Sequence, residues 1–254
     1  MKVVRDTLLI FQRQMLLLSR SRVRIAWSFV QPITYLVLFA PVLKLALKAE
    51  GVTNLAGAYR IYVPGLIMAM ATFSGLYAGY GLLAEIRSGV IERGWVTPIS
   101  RVAMMLGRAM RDMTSLLATA LIITLVALPL GLRVTVPGLL LGLALLALIS
   151  LGSTALGYSL TMWAHNEGTL GSVLNVLSMP ISLLAGQLVP LTLAPLWLVW
   201  VARGNPFYWL TNGMRALYAG QLGAASVFEG LIIAAALAAV MVTWSVHMFA
   251  RVVR

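Results

Sequence analysis

The sequence predicts an all-α polytopic membrane protein with six transmembrane helices, an N-terminal interfacial amphipathic helix and short extracellular re-entrant helices before the last span. The mean hydropathy is +0.94 and only 10% of the residues are charged, against about a quarter in soluble domains. Several apolar runs approach the ~20 residues that cross a bilayer core. The net charge of +12 comes from basic residues that flank these runs, which indicates membrane topology and not nucleic-acid binding.

Residues 1–25 form the predicted interfacial helix. Apolar residues recur at helical spacing at Val4, Leu8, Phe11, Met15 and Leu18. The polar residues include Asp6 and the basic residues Arg5, Arg13 and Arg20. Such a helix lies in the membrane interface with its arginines toward anionic headgroups. A basic segment that only anchors the cytoplasmic side accounts for the same residues, and the two interpretations are compatible.

The six predicted spans are distributed over most of the chain. Residues 26–84 hold spans one and two, residues 102–189 hold spans three to five, and residues 229–254 hold span six and the tail. The spans themselves cover about 26–47, 62–84, 102–130, 138–163, 169–189 and 230–250. Gly75 and Gly79 form a small-xxx-small pattern that lets helices approach closely. Ser226 and Glu229 have the spacing of a capping box at the start of span six.

The region 190–228 has a different character from the spans. It is apolar and aromatic but is interrupted by Pro190, Pro195, Gly204, Pro206 and Gly213. No piece of it is both long and unbroken enough to span a bilayer. It is therefore predicted to form one or two short helices that dip into the membrane or lie on it, on the extracellular side.

The distribution of basic residues predicts the orientation. Thirteen of the 19 Lys and Arg residues lie on the side that carries both termini and the segment 85–101. This bias places both termini and the segment in the cytoplasm.

Catalytic and metal-binding patterns are lacking in the sequence. The two histidines, His165 and His247, are far apart, there are no cysteines, and no HExxH, GxSxG or GxxxxGK[ST] pattern occurs. The chain is therefore predicted to have no catalytic residue, metal site or cofactor. The charges nearest to a span core are Arg108, Arg111 and Asp112. Arg108 and Asp112, one helical turn apart, are predicted to pair.

The segment 85–101 is a charged interruption between two apolar runs. It carries charges of both signs at Glu85, Arg87, Glu92 and Arg93, and Pro98 ends any helix there. Both signs on a short element suit docking to a charged groove of a partner. A solvated loop with interfacial charges explains the same residues, and the residues alone leave both interpretations open.

A set of short motifs is distributed along nearly the whole chain after the basic amphipathic start. The motifs are Gln31-Pro32, residues 38–42, residues 62–66, residues 87–93, residues 97–101, Gly107-Arg108, Arg111-Asp112, Pro195, Asn205-Pro206 and residues 215–217. In their order and spacing they resemble the type-2 ABC-transporter permeases, in particular the membrane subunits related to the daunorubicin-resistance exporter.

The resemblance implies that the segment 85–101 is a coupling helix on which a separate ATPase subunit docks. The docking residues would be Glu85, Arg87, Ser88, Gly89, Glu92, Arg93, Trp95 and Pro98. It further implies two permease copies, as a homodimer or with a paralogue, and two ATPases that bind ATP and Mg. Gly94 departs from the family pattern, which often has leucine there, and is expected to end or bend the helix.

The expected function is ATP-driven export of an amphiphilic drug-like or lipid-like molecule, in the manner of multidrug export and antibiotic resistance. The expected location is a bacterial or archaeal cytoplasmic membrane, with lipid but no nucleic acid as a partner. The candidate substrate path comprises Phe73, Tyr77, Tyr80, Tyr158 and Asn175. Alternatives are an exporter of a lipid-linked saccharide, a non-transporting membrane scaffold and a passive channel.

Overall fold

The computed structural model describes residues 2–46, 54–88, 101–164 and 166–251, and 86% of these residues are helical. The predicted all-α class is confirmed. The described ranges contain nine α-helices, which are α1 (Lys2–Ser19), α2 (Arg22–Ala46), α3 (Leu55–Arg87), α4 (Arg101–Ala127), α5 (Val136–Ala164), α6 (Glu167–Leu184), α7 (Leu196–Arg203), α8 (Pro206–Tyr218) and α9 (Ala225–Arg251).

Four of the described helices are long and apolar enough to cross a membrane. They are α3, α4 from Val102, α5, and α9 to Met248, and they match the predicted spans two, three, four and six. The described apolar stretch of α2, Phe29–Phe39, is shorter than a span. Helix α6 has 18 residues and ends at Leu184, before the predicted end of span five. The count of six spans therefore stays a prediction.

The interrupted region before α9 contains a 3-10 turn, Leu191–Leu193, and the short helices α7 and α8. Helix α8 begins where it does because Pro206 occupies its first turn and the Asn205 side chain accepts a hydrogen bond from the Phe207 backbone N–H at 3.0 Å. The predicted capping box is wrong, since α9 already begins at Ala225 and Ser226 lies inside the helix.

Helices α3 and α5 pack closely along a seam of small residues. A Cβ atom on Gly75 would lie 2.3 Å from the Ser153 Cβ atom, and one on Gly157 would lie 2.5 Å from the Gly75 carbonyl oxygen. A Cβ atom on Gly79 would lie 2.3 Å from the Thr161 hydroxyl oxygen. The small-xxx-small pattern therefore brings α3 against α5 within one chain.

Candidate functional site

A cavity of about 630 Å³ lies between α2, α3 and α4. This volume falls within the ~300–1,000 Å³ of small-molecule sites. Its walls are apolar, aromatic or uncharged polar side chains, and no described lining residue is ionised at neutral pH. The lining consists of Gln31, Tyr35, Phe39, Tyr62, Leu66, Ala69, Met70, Phe73, Ser74, Tyr77, Ser115, Leu116, Thr119 and Leu188.

Three aromatic rings form one end of this cavity. Phe39 and Tyr62 are stacked with ring centroids 6.1 Å apart and planes 7° apart, and Tyr35 meets Phe39 edge-on at 5.7 Å. The Tyr62 hydroxyl donates a hydrogen bond to the Tyr35 carbonyl oxygen at 3.3 Å. Offset and edge-on ring pairs are favourable geometries, so these contacts fix the wall between α2 and α3.

Tyr77 stands at the other end of the cavity. Its ring stacks on Tyr80 at a centroid distance of 6.0 Å, and its hydroxyl donates to the Asn175 side-chain oxygen at 3.5 Å. Asn175 belongs to α6, so Tyr77 connects the cavity wall to that helix.

The residues predicted for the substrate path fall into three groups. Phe73 and Tyr77 line the cavity, whereas Tyr80 and Asn175 contact Tyr77 without lining it. Tyr158 is buried in a different place, on α5. The assignment of these residues to the path stays a prediction.

Sequence reasoning missed Tyr35, Phe39 and Tyr62, which line the cavity. Tyr35 and Phe39 are one helical turn apart on α2, and Tyr62 shares a face of α3 with Phe73 and Tyr77. This helical spacing of aromatic residues could have indicated from the sequence that they line a common surface.

A polar cluster surrounds Asp112 on α4. The Tyr158 hydroxyl donates to Asp112 Oδ2 at 3.1 Å, and Arg111 Nε donates to Asp112 Oδ1 at 2.9 Å. The predicted pairing of Arg108 with Asp112 is wrong, because Arg108 forms its ion pair with Glu85. The cluster therefore joins α4 to α5, and Arg108 joins α4 to the end of α3.

Two ion pairs hold the end of α3, where the predicted docking segment begins. Glu85 pairs with Arg108 of α4, and Arg87 pairs with Glu167 of α6 at 2.8 Å. The Ser88 hydroxyl donates to the Glu85 carbonyl oxygen at 3.2 Å. Of the predicted docking residues, Gly89, Glu92, Arg93, Trp95 and Pro98 lie outside the described residues.

A second polar cluster joins α3, α8 and the turn after α6. Buried Arg215 donates from Nη2 to the Gly186 carbonyl oxygen at 2.5 Å and from Nε to the Ile61 carbonyl oxygen at 3.4 Å. Burial lowers the pKa of Arg215 to about 10, so the guanidinium remains charged at neutral pH. Gln187 donates to the Thr72 hydroxyl at 2.9 Å. These bonds hold the turn beside Leu188, one of the cavity-lining residues.

Helix α1 packs on α4 at Gly107, where a Cβ atom would lie 2.8 Å from an Ile10 methyl carbon. Arg5 and Arg13 of this helix and Arg20, which directly follows it, are exposed. Exposed leucines, namely Leu8, Leu9, Leu16 and Leu17, lie on the same helix. Leucines and arginines exposed together suit a helix at a membrane interface.

Comparisons with known proteins identify the family. The family model described as ABC-2 type transporter matches residues 5–219. A protein of Cyanophora paradoxa whose name describes it as a transport permease, ycf38, is 23% identical over 231 residues, which are 89% of this chain and 79% of that protein. The family is one of transport membrane subunits, not of catalytic proteins, and membership implies partnership with an ABC ATPase subunit. The chain therefore belongs to the ABC-2 type transporter family and is a multi-pass membrane permease.

Proposed function

We propose that this chain is the permease subunit of an ATP-driven exporter that moves an amphiphilic drug-like or lipid-like molecule out of the cytoplasm. The cavity between α2, α3 and α4 carries the proposal. Its ~630 Å³ volume and its aromatic and uncharged polar walls suit such a molecule. An ion pathway, in contrast, usually carries ionisable residues inside the membrane.

The power for transport comes from a separate ATPase that docks on the segment 85–101. The ion pair between Glu85 and Arg108 supports this part of the proposal. Glu85, at the start of the segment, connects α3 to Arg108 of α4, just after the segment, and both helices line the cavity. A displacement of the segment by the ATPase therefore reaches the cavity walls directly.

The proposed assembly contains two permease copies and two ATPases, with ATP and Mg bound by the ATPases. Each permease crosses a bacterial or archaeal cytoplasmic membrane six times and has both termini in the cytoplasm. The region 190–228 covers the extracellular end of the pathway. The exposed leucines and arginines of α1 support its placement at the cytoplasmic interface.

The docking proposal is tested by reversing two charges of the segment, Glu92→Arg with Arg93→Glu. Co-purification with the partner ATPase and substrate-stimulated ATP hydrolysis are expected to be lost, while membrane insertion is retained. Arg133→Glu, an exposed change outside the segment, serves as the matched control. Normal co-purification and transport in the reversed variant would show that the ATPase does not dock there.

The alternative functions predict other results in proteoliposomes. A passive channel conducts its solute without ATP, and a scaffold supports no flux with or without the ATPase. ATP-dependent flux of a lipid-linked saccharide, with no flux of smaller amphiphiles, would favour the saccharide exporter.

A further inference from the structure

We propose that the cavity selects amphiphiles with a neutral head group that bears hydroxyl or amide groups. The head group binds at the Tyr77 end, and the apolar body lies toward the Tyr62 end. The inference rests on the proposed function for its role in transport, and it names the substrate class of the same cavity.

The cavity is elongated along one face of α3. Tyr62, Leu66, Phe73 and Tyr77 of this helix all line it. Tyr62 and Tyr77 are fifteen positions apart in the sequence, which corresponds to about 22 Å along a helix. The site is therefore long enough to hold the two halves of an amphiphile in separate surroundings.

At the Tyr62 end apolar and aromatic surface predominates. Phe39, Tyr62 and Leu188 line it, and the Tyr62 hydroxyl is already engaged, since it donates to the Tyr35 carbonyl oxygen at 3.3 Å. This end consequently offers contact area to an apolar ligand segment.

Three polar side chains of the cavity retain unused hydrogen-bonding capacity, and two of them, Ser74 and Ser115, lie toward the Tyr77 end. Gln31, Ser74 and Ser115 line the cavity, and their side chains form no hydrogen bond with any described part of the chain. A serine hydroxyl and a glutamine amide each donate and accept. They match the hydroxyl and amide groups of a neutral head group.

The described walls give a charged head group no ionic partner. Among the described residues that line the cavity there is no Asp, Glu, Lys, Arg or His, so a charge that entered the cavity would lose hydration without an opposite charge to compensate. Phe39 and Tyr62 stack on each other, and Tyr77 stacks on Tyr80, so each of these rings has one face covered and only the other could meet a cation. The uncharged lining thus favours a neutral ligand over a charged one.

The test measures binding to the purified permease alone, in lipid nanodiscs. The probe is decyl glucoside with a photoreactive diazirine at the end of its alkyl chain, and the labelled residues are mapped by mass spectrometry. The competitors are decyl glucoside, decyl sulfate and decyltrimethylammonium, all below their critical micelle concentrations. Labelling is expected near Tyr62 and Leu66. Decyl glucoside is expected to displace the probe at a concentration at least about tenfold lower than decyl sulfate or decyltrimethylammonium. A tenfold difference corresponds to the contribution of one or two hydrogen bonds.

A double variant, Ser74→Ala with Ser115→Ala, is expected to remove most of the preference for the neutral competitor over the charged ones. Ser172→Ala is the matched control, because Ser172 lies on α6 outside the cavity and its hydroxyl donates to the Gly168 carbonyl oxygen. Gln31→Leu is a second variant of the same site, should the double variant fold poorly. Equal or stronger displacement by a charged competitor, labelling outside the cavity, or an unchanged preference in the site variants would overturn the inference.

The same measurements separate this inference from the proposed function. Selective glucoside binding without ATP-driven transport in the presence of the ATPase would contradict the exporter and leave the neutral site intact. ATP-driven transport of a charged amphiphile, with no selective glucoside binding, would contradict the neutral site and leave the exporter intact.

Discussion

The carboxylate of Glu85, in the last turn of α3, forms an ion pair with the buried guanidinium of Arg108 on α4. The side chains are 28% and 9% exposed, respectively. Arg87, two residues further on, pairs with Glu167, and those side chains are 50% and 56% exposed. The two ion pairs thus hold the same helix end in very different surroundings. The stability contributions of a largely buried pair and an exposed pair can therefore be compared directly.

Glu85→Gln should destabilise the permease by about 3 kcal/mol, because it leaves the Arg108 charge buried without a partner. Arg87→Gln should change stability by no more than about 1 kcal/mol, since exposed ion pairs contribute little. Denaturant unfolding in micelles, followed by tryptophan fluorescence, measures both. Equal losses in the two variants would mean that the Glu85 pair gains nothing from its burial.

Two glycines of α3 should respond oppositely to alanine. A Cβ atom on Gly65 would lie 1.9 Å from the Gln187 carbonyl oxygen, whereas one on Gly81 would have no atom of the described residues within 4 Å. Gly65→Ala should push the turn at Gln187 away from α3 and cost about 2 kcal/mol or more, as overpacking does. Gly81→Ala should be neutral or stabilise by up to about 1 kcal/mol through helix propensity. The melting temperatures of the two variants give the comparison, and a harmless Gly65→Ala would contradict the close contact.

Tyr77 and Tyr158 were both predicted to line the path, but the structure gives them different consequences. Tyr77→Ala should weaken decyl glucoside binding by about tenfold, because it removes part of the cavity wall. Tyr158→Phe should leave that binding unchanged and lower stability by about 2 kcal/mol, since it removes the hydrogen bond to the Asp112 carboxylate. Binding and unfolding are measured on the same preparations. Weaker binding in Tyr158→Phe would place Tyr158 in the path after all.

Arg215→Lys should destabilise the contact between α8 and the turn after α6. The guanidinium bonds two carbonyl oxygens, of Ile61 and Gly186, from different nitrogens, and a lysine ammonium does not reproduce this fork. We expect a loss of about 2 kcal/mol from the orphaned, buried carbonyl. Arg133→Lys, at an exposed position, is the control and should change stability by less than about 0.5 kcal/mol. Limited proteolysis near Gly186 provides a local readout. Equal resistance to cleavage there in Arg215→Lys and Arg133→Lys would contradict the prediction that Arg215 holds this turn.

The long apolar helices were predictable because crossing a bilayer requires a length and a composition that single segments display. The ion-pair partner of Arg108 was not predictable from the sequence. Asp112 is one helical turn away and was the local choice, but Tyr158 and Arg111 occupy its carboxylate. Glu85, which belongs to a different helix, takes that place. Only the packing of α3, α4 and α5 decides between these carboxylates.

The cavity was predictable in part for a similar reason. Phe73 and Tyr77 were among the residues predicted for the substrate path, whereas no residue of α2 was. That Tyr35 and Phe39 meet Tyr62 depends on how α2 lies against α3. The capping box failed because a four-residue match is also compatible with the interior of a helix, as at Ser226.

The glycine seam between α3 and α5 determines which walls of the cavity are free to move. Gly75, Gly79 and Gly157 bring the two backbones so close that neither helix has room to slide or tilt against the other. The two helices form a fixed partition, and α3 contributes the invariant side of the cavity. Any change in the width of the cavity during a transport cycle must then come from α2, α4 or the turn that carries Leu188, while spin-label distances between α3 and α5 stay constant.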